Sequence, residues 1–120
     1  MTRKRIDKDT RRLVYEKYNG RCAYCGCEIE YKDMQIDHID SVYKAVYNNK
    51  EVDDSVKNYM PSCRQCNFYK STFGLEDFRS RLETTLVNNL TSTFQFRLAE
   101  KYKLVSKVEH PKVRFYFEQI

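Results

Sequence analysis

The chain has 120 residues and a formal net charge of +5, and 41% of its residues are hydrophobic. This length corresponds to one domain, and the ten Tyr and seven Phe favour a folded protein over a disordered one. No apolar run is long enough to cross a bilayer, and the basic N-terminus lacks the apolar stretch of a signal peptide. We therefore expect a cytoplasmic protein without membrane association, in which cysteine pairs bind metal rather than form disulfides.

The charge is distributed unevenly along the chain. Residues 1–21 carry a net charge of +5, residues 22–66 carry −3, and residues 67–120 carry +3. The basic flanks are suited to holding a polyanion, and the acidic middle is suited to metal chemistry. The overall excess is mild, so charge alone does not establish nucleic-acid binding.

The first third of the chain predicts a basic arm over residues 2–8 and a short helix over residues 9–18. Asp9 or Thr10 is expected to cap this helix, and Asn19-Gly20 is expected to end it in a turn. A tight cysteine knuckle follows, in which Gly26 is expected to adopt a positive φ.

The middle of the chain predicts a short strand over residues 34–39, whose last residues are polar. Residues 40–57 form a polar connection without Pro or Gly, which is either functional or partly helical. Residues 58–70 begin another helix, which Gly74 ends.

The last part of the chain predicts an amphipathic helix, a second helix over about residues 93–102, and a terminal strand. The amphipathic stripe consists of Leu75, Phe78, Leu82, Leu86 and Leu90. The stripe fits a core better than a partner groove, although it could support a homodimer. The strand is predicted from the alternation of Val113, Phe115 and Phe117.

Two cysteine pairs predict a structural zinc site. Cys22-x-x-Cys25 and Cys63-x-x-Cys66 each place two thiolates on one side of a knuckle, and two knuckles close a tetrahedron around Zn²⁺. The long gap between the pairs requires further structure to fold between them. Cys27 is left over, and we interpret it as a spare thiol that could compete for the metal.

Several polar residues accompany these pairs. Asp37 and His38 end the predicted strand, Asn58 precedes Cys63, Asn67 directly follows Cys66, and Lys70 comes one helical turn later. The zinc knuckles would fix strand and helix against each other, as a preorganised site requires.

These segments resemble the HNH, or ββα-metal, nuclease family. The resemblance covers roughly residues 10–75 and is carried by YNGRCAYCG (18–26), MQIDHI (34–39) and NYMPSCRQCNFYK (58–70). It implies that Asp37 and Asn67 bind the catalytic cation, that His38 is the general base, and that Asn58 orders the loop. The tail resembles C-terminal extensions of some phage-type members.

Two positions depart from the family pattern. Asn67 stands where the family often has His, and the loop after His38 lacks the usual Pro and Gly. An amide oxygen at residue 67 suits a hard cation such as Mg²⁺ or Mn²⁺. The loop conformation is the feature that the resemblance predicts least.

The chemistry of phosphodiester hydrolysis is compatible with these residue types. A neutral His38, with an unperturbed pKa near ~6.5, can take the proton of the attacking water at neutral pH. A cation held by Asp37 and Asn67 would stabilise the charge on the leaving oxygen. The expected substrate is double-stranded DNA. The residues expected to contact phosphate, or else to be solvated, are Arg3, Lys4, Arg5, Arg11, Arg12, Arg21 and Lys70.

The sequence thus predicts an α+β fold in one domain. Residues 1–8 form the basic arm, residues 9–74 a zinc-stapled ββα core, and residues 75–120 a helical and strand extension. The alternative function is a non-catalytic zinc module that binds nucleic acid or protein. A redox protein is a weaker alternative, because its expected βαβ context is absent from the pattern.

Overall fold

The computed structural model describes residues 5–40, 42–51 and 54–120. The chain divides into two compact units, of which the first comprises Met1–Gly74 with Arg114–Ile120, and the second comprises Leu75–Val113. A two-stranded antiparallel sheet combined with helices confirms the predicted α+β class. Among the described helices, none has both the length and the apolar character needed to span a membrane.

Helix α1 (Lys8–Lys17) opens the first unit. Its cap is Asp7, whose carboxylate accepts a hydrogen bond of 2.7 Å from the backbone N–H of Thr10. The prediction of Asp9 or Thr10 as the cap was therefore wrong, because Asp7 has the extended backbone that directs a side chain to the third helical residue. The helix ends as predicted, in a turn where Asn19 and Gly20 have φ values of 55° and 76°.

Strands β1 (Gln35–His38) and β2 (Tyr59–Ser62) form the sheet. They pair in antiparallel register, with Asp37 opposite Met60 and His38 opposite Tyr59. Because side chains alternate between the two faces of a strand, Asp37 and His38 point to opposite sides of the sheet. The connection between the strands is partly helical, as one of the two alternatives predicted, and contains α2 (Val42–Tyr47).

Helix α3 (Arg64–Lys70) follows β2 and packs against β1, which completes the ββα arrangement. Cys63 is its cap, and the Cys63 sulfur accepts a hydrogen bond from the backbone N–H of Cys66. The helix ends at Lys70 because Ser71 adopts a φ of 51°, which the helix cannot accommodate.

The second unit begins with one continuous helix. It consists of α4 (Leu75–Ser80), a π-helical segment (Arg81–Leu86) and α5 (Val87–Thr91). Helix α6 (Phe94–Lys101) follows and is capped by the hydroxyl of Thr93.

The predicted core stripe is only partly buried. Phe78 is 1% exposed, whereas Leu86 and Leu90 are 44% and 58% exposed. The prediction was wrong for these two leucines, because the wider π-helical turns rotate the residues in and after them away from a 3.6-residue period.

The tail belongs to the first unit and does not form the predicted strand. It ends in a 3₁₀ turn (Tyr116–Glu118), and the Phe115 N–H donates to the carboxylate of Glu118 at 2.8 Å. The turn lets Phe115 and Phe117 stack with a centroid distance of 6.2 Å, and both rings also contact Tyr24. The alternation of aromatic residues therefore reflects this stacking on the knuckle rather than a strand.

Candidate metal and catalytic site

The four paired cysteines meet in one cluster. The sulfur atoms of Cys22, Cys25, Cys63 and Cys66 all lie within 4.8 Å of one another, and those of Cys25 and Cys63 are 3.8 Å apart. Zinc–sulfur bonds of about 2.3 Å in a tetrahedron require sulfur atoms about 3.8 Å apart. The donor set and its spacing therefore fit a closed zinc site.

Local backbone geometry forms the first knuckle. The N–H of Gly26 donates to the carbonyl of Cys22 at 3.0 Å, and the N–H of Cys22 donates to the carbonyl of Cys27 at 2.8 Å. Gly26 has a φ of 80°, as predicted, and a Cβ at this position would lie 3.0 Å from the Tyr116 ring. Glycine is required here both for the turn and for the close approach of the tail.

The thiols of the cluster influence one another. A hydrogen bond with Cys66 lowers the pKa of the Cys22 thiol to about 4, and the same hydrogen bond raises the pKa of Cys66. Cys27 is exposed and lies outside the group of four, and burial of its sulfur beside Cys25 raises its pKa to about 12. Zinc requires thiolates, and the geometric grouping of four sulfur atoms, which does not include Cys27, is the arrangement that suits this metal.

A second polar cluster lies on the face of the sheet that packs against α3. The hydroxyl of Tyr24 donates to Oδ2 of Asp37 at 2.5 Å, and Nζ of Lys70 lies 3.0 Å from the same oxygen. All three side chains are buried. Burial, followed by the neighbouring Asp37 carboxylate, raises the pKa of Tyr24, which keeps the hydroxyl protonated as a donor.

Lys70 does not occupy the position that the sequence suggested. Its side chain is 0% exposed, and it donates to the His38 carbonyl at 3.2 Å in addition to pairing with Asp37. Both sequence interpretations of Lys70, a phosphate contact and a solvated lysine, were therefore wrong. Lys70 is buried because Asp37 and the end of β1 supply the partners that a charged group requires in the interior.

Asn67 lies one turn before Lys70 on α3, and residues three apart share a face of a helix. Asn67 therefore shares a face of α3 with Lys70, which meets Asp37. Asn67 is half-buried, and within residues 5–40, 42–51 and 54–120 its side chain makes no hydrogen bond. Both contacts to Asp37 use Oδ2, so Oδ1 of Asp37 and the amide oxygen of Asn67 are hard donors suited to a divalent cation.

The His38 ring lies on the opposite face of the sheet. It packs edge-on against Tyr59 at a centroid distance of 5.0 Å, and its Nε2 lies 3.8 Å from Oδ1 of Asp54. The Tyr59 hydroxyl donates to the same Asp54 oxygen at 3.4 Å. Sequence reasoning missed Tyr59 and Asp54, although the pairing of β1 with β2 places Tyr59 directly opposite His38.

Asn58 is 2% exposed and holds the segment that follows His38. Its amide oxygen accepts from the N–H of Asp40 at 2.7 Å, and its amide nitrogen donates to the carbonyl of Asp40 at 3.1 Å. The carbonyl of Asn58 also accepts from the N–H of Ile39. Asn58 thus fixes the first residues of the loop after His38.

The basic residues of the arm and knuckle fall into distinct groups. Arg11 donates to the carbonyls of Tyr31 and Met34 at 2.6 and 3.1 Å, and Arg21 donates to the carbonyl of Gly26 at 2.9 Å. The expectation of phosphate contacts fits these two arginines poorly, because their guanidinium groups already support the backbone. Arg3 and Lys4 lie outside the described residues.

Arg5 and Arg12 remain exposed and border an open groove of about 950 Å³. The guanidinium of Arg12 lies 4.7 Å from the centroid of the Tyr31 ring, and that of Arg11 lies 4.9 Å from it. The groove is lined by Arg5, Ile6, Asp7, Lys8, Asp9, Arg11, Arg12 and Tyr31. The lining combines four basic residues with two acids and one aromatic ring, and its exposed arginines can bind phosphate.

The cysteine cluster, Asp37, His38, Asn58 and Asn67 all fall within one stretch of sequence that can be compared with known families. Residues 22–73 match the HNH endonuclease family. The resemblance drawn from the motifs is thereby confirmed, and this stretch is referred to below as the HNH region.

Two relatives share sequence with this chain. The Septu protein PtuB of Bacillus thuringiensis is 36% identical over 61 residues, which are 49% of this chain and 22% of PtuB. The SPbeta prophage-derived protein YoqL of Bacillus subtilis (strain 168), named as an HNH endonuclease, is 29% identical over 65 residues, which are 51% of this chain and 27% of YoqL. The chain thus spans about a quarter of the length of these relatives. No solved structure matches the chain significantly.

Proposed function

We propose that this protein is a metal-dependent HNH endonuclease that hydrolyses DNA phosphodiester bonds. The observation that supports the proposal is the placement of Asp37 and His38 at the end of β1, against which α3, the helix that carries Asn67, packs. The zinc cluster joins the knuckle to the start of α3, and therefore holds strand and helix in a fixed relation.

The proposed roles of the residues are compatible with their positions. The His38 imidazole takes the proton from the attacking water, and Asp54 lies near enough to its Nε2 to stabilise the charged ring. Asp37 and Asn67 hold the cation, which when bound stabilises the charge on the leaving oxygen. Asn58 keeps the loop after His38 in place through its two hydrogen bonds with Asp40.

The groove beside α1 is proposed to bind the DNA backbone. Arg5 and Arg12 are exposed there, and the residues N-terminal to Arg5 add further positive charge. Double-stranded DNA is the proposed substrate, since a groove with exposed arginines is suited to a phosphate backbone.

The competing function is a non-catalytic zinc module that binds nucleic acid. The observation in its favour is the ion pair between Lys70 and Asp37, which gives Asp37 a structural partner without a cation. In that case the polar cluster would serve only to pack α3 on the sheet. The two functions differ in one respect that can be measured, namely the cleavage of DNA.

The test is cleavage of supercoiled plasmid and of a panel of defined DNA duplexes with Mg²⁺ or Mn²⁺, followed by mapping of the ends. The proposal predicts metal-dependent products that Asp37→Ala and His38→Ala abolish. DNA binding without cleavage by the zinc-loaded wild type, across the whole panel, would favour the non-catalytic module. End mapping would also distinguish a nick from a double-strand break.

Two further proposals concern the oligomeric state and the localisation of the protein. Exposed Leu86 and Leu90 offer a face for a homodimer, which sedimentation of the wild type and of Leu90→Glu would test. Cytoplasmic localisation is proposed because the four cysteines must stay reduced to bind zinc.

A further inference from the structure

Lys70 is a charged side chain with no exposure in the part of the chain that the structure describes, and its ammonium lies 3.0 Å from Oδ2 of Asp37. The proposed function assigns Asp37 to a divalent cation. The ammonium of Lys70 is thus buried against the same Asp37 carboxylate that would bind the divalent cation. A buried ion pair is not required for packing as such, because two apolar side chains in place of Lys70 and Asp37 could fill the same volume.

We propose that Lys70 is a built-in counter-cation of Asp37 that makes the catalytic cation bind weakly. The inference rests on the proposed function, because it concerns the same carboxylate. Lys70 acts through Asp37 and is therefore a positioning residue.

The geometry defines how the two charges share the carboxylate. The ammonium of Lys70 and the hydroxyl of Tyr24 both contact Oδ2, which holds the carboxylate in one orientation and leaves Oδ1 for a cation. Lys70 is fixed in place by a second contact, its hydrogen bond of 3.2 Å to the carbonyl of His38. This second contact favours retention of the ammonium beside Asp37 when a cation binds, so repulsion between the two positive charges opposes binding.

Burial makes this repulsion effective. Lys70 is 0% exposed and Asp37 is 6% exposed, so water screens the ammonium poorly. Removal of the lysine charge should therefore tighten the binding of a divalent cation by about tenfold or more. A lysine that served only to pack α3 would destabilise the fold when replaced and would leave cation affinity unchanged or lower.

The experiment measures Mn²⁺ binding to the zinc-loaded protein by electron paramagnetic resonance of free Mn²⁺, without DNA and independently of cleavage. Lys70→Gln removes the charge and keeps a hydrogen-bond donor for Asp37. Lys70→Arg keeps the charge. Lys32→Met is the matched control, because it removes a lysine charge from a side chain that is 78% exposed.

The proposal expects Mn²⁺ to bind Lys70→Gln about tenfold or more tightly than wild type, and to bind Lys70→Arg and Lys32→Met as wild type does. Equal or weaker binding to Lys70→Gln would overturn the counter-cation role. If Lys70→Gln is unfolded without cation, millimolar Mn²⁺ should restore its fold and raise its melting temperature more than that of wild type. An unfolded Lys70→Gln variant that millimolar Mn²⁺ does not refold would also overturn the proposal.

Asp37→Asn separates this inference from the proposed function. In the wild-type and Lys70→Gln backgrounds it should abolish the Mn²⁺ site. Loss of Mn²⁺ binding in Asp37→Asn, together with unchanged affinity in Lys70→Gln, would refute the inference alone. Unchanged Mn²⁺ binding in Asp37→Asn would refute the cation site of the proposed function, and the inference with it.

Discussion

The hydroxyl of Tyr24, at the centre of the first cysteine knuckle, donates a hydrogen bond of 2.5 Å to Oδ2 of Asp37 at the end of β1. Tyr24 lies between Cys22 and Cys25 in sequence, so the backbone that presents two thiols of the cysteine cluster also presents this hydroxyl. The cysteine cluster and the proposed catalytic carboxylate are therefore joined by one side chain. Several consequences of this arrangement can be measured.

Tyr24→Phe should retain zinc and lose stability. The phenyl ring would keep its packing against Phe115 and Phe117, but the buried Asp37 carboxylate would lose a donor. We expect a loss of about 1–3 kcal/mol in the free energy of unfolding, together with weaker cleavage. Denaturant unfolding and plasmid nicking would measure both. Tyr15→Phe, which removes a hydroxyl bound to the Ile29 carbonyl, should lose stability without a specific loss of cleavage.

The cysteine cluster should bind one zinc ion per chain. Cys66→Ser should be insoluble or largely unfolded, because zinc binding and folding are coupled in such sites. Cys27→Ser is the matched control, and it should retain zinc and fold, since Cys27 lies outside the group of four. Elemental analysis and circular dichroism check both variants. A folded wild type that contains no zinc would contradict the prediction.

His38→Ala should lose at least ~10²-fold in cleavage rate, the lower range expected for loss of a general base. Zinc content and DNA affinity should stay near those of wild type, because the ring contacts Tyr59 and Asp54 rather than the cysteine cluster. His110→Ala removes an exposed histidine and should cleave normally. A stable His38→Ala variant with wild-type cleavage would show that another group accepts the proton.

Mild EDTA should stop cleavage without unfolding the protein. Four thiolates would hold zinc tightly, whereas the proposed site at Asp37 and Asn67 would offer a cation only two protein ligands. Added Mg²⁺ or Mn²⁺ should restore cleavage while zinc content stays constant. Asp37→Ala should resist this rescue, and Asn67→His should retain some activity with a preference for transition metals. Full cleavage in EDTA, with zinc retained and no other cation present, would eliminate the second metal site.

Deletion of residues 1–6 removes three basic residues and should weaken the salt dependence of DNA binding. The slope of log affinity against log salt should shrink by up to about three units, at ~0.9 for each phosphate that the arm neutralises. Arg12→Gln should reduce the slope further, because Arg12 is exposed at the groove. Arg11→Gln should instead lower thermal stability, since Arg11 supports the carbonyls of Tyr31 and Met34. A slope unaffected by the deletion would assign the arm a solubilising role.

Local patterns were sufficient to predict much of the HNH region. The two cysteine pairs, the turn at Asn19-Gly20 and the helix after Cys63 each depend on residues close together in sequence, which a small set of turn and knuckle geometries constrains. Asp37 and His38, at the end of β1, were predicted from the local strand pattern in the same way.

The sequence could not predict which residues that are distant along the chain contact one another in the fold. The burial of Lys70 depends on Asp37, which is 33 positions away, and the position of Asp54 beside His38 depends on how the connecting loop folds. The tail had the alternation of a strand, but its aromatic residues pack on Tyr24 instead. Leu86 and Leu90 were misassigned because a π-helical segment changes the period on which the stripe was based.

The return of residues 114–120 to the first unit makes the helical unit an insertion rather than an appendage. The chain leaves the HNH region at Gly74 and comes back at Arg114, and it then pairs through Tyr116 and Phe117 with the carbonyls of Tyr24 and Ala23. Because residues 75–113 are joined to the first unit at both ends, a change in their length or sequence does not remove residues 114–120 from that unit. Residues 75–113 can therefore change in length or sequence while the rings of Phe115 and Phe117 stay packed on Tyr24 of the first knuckle.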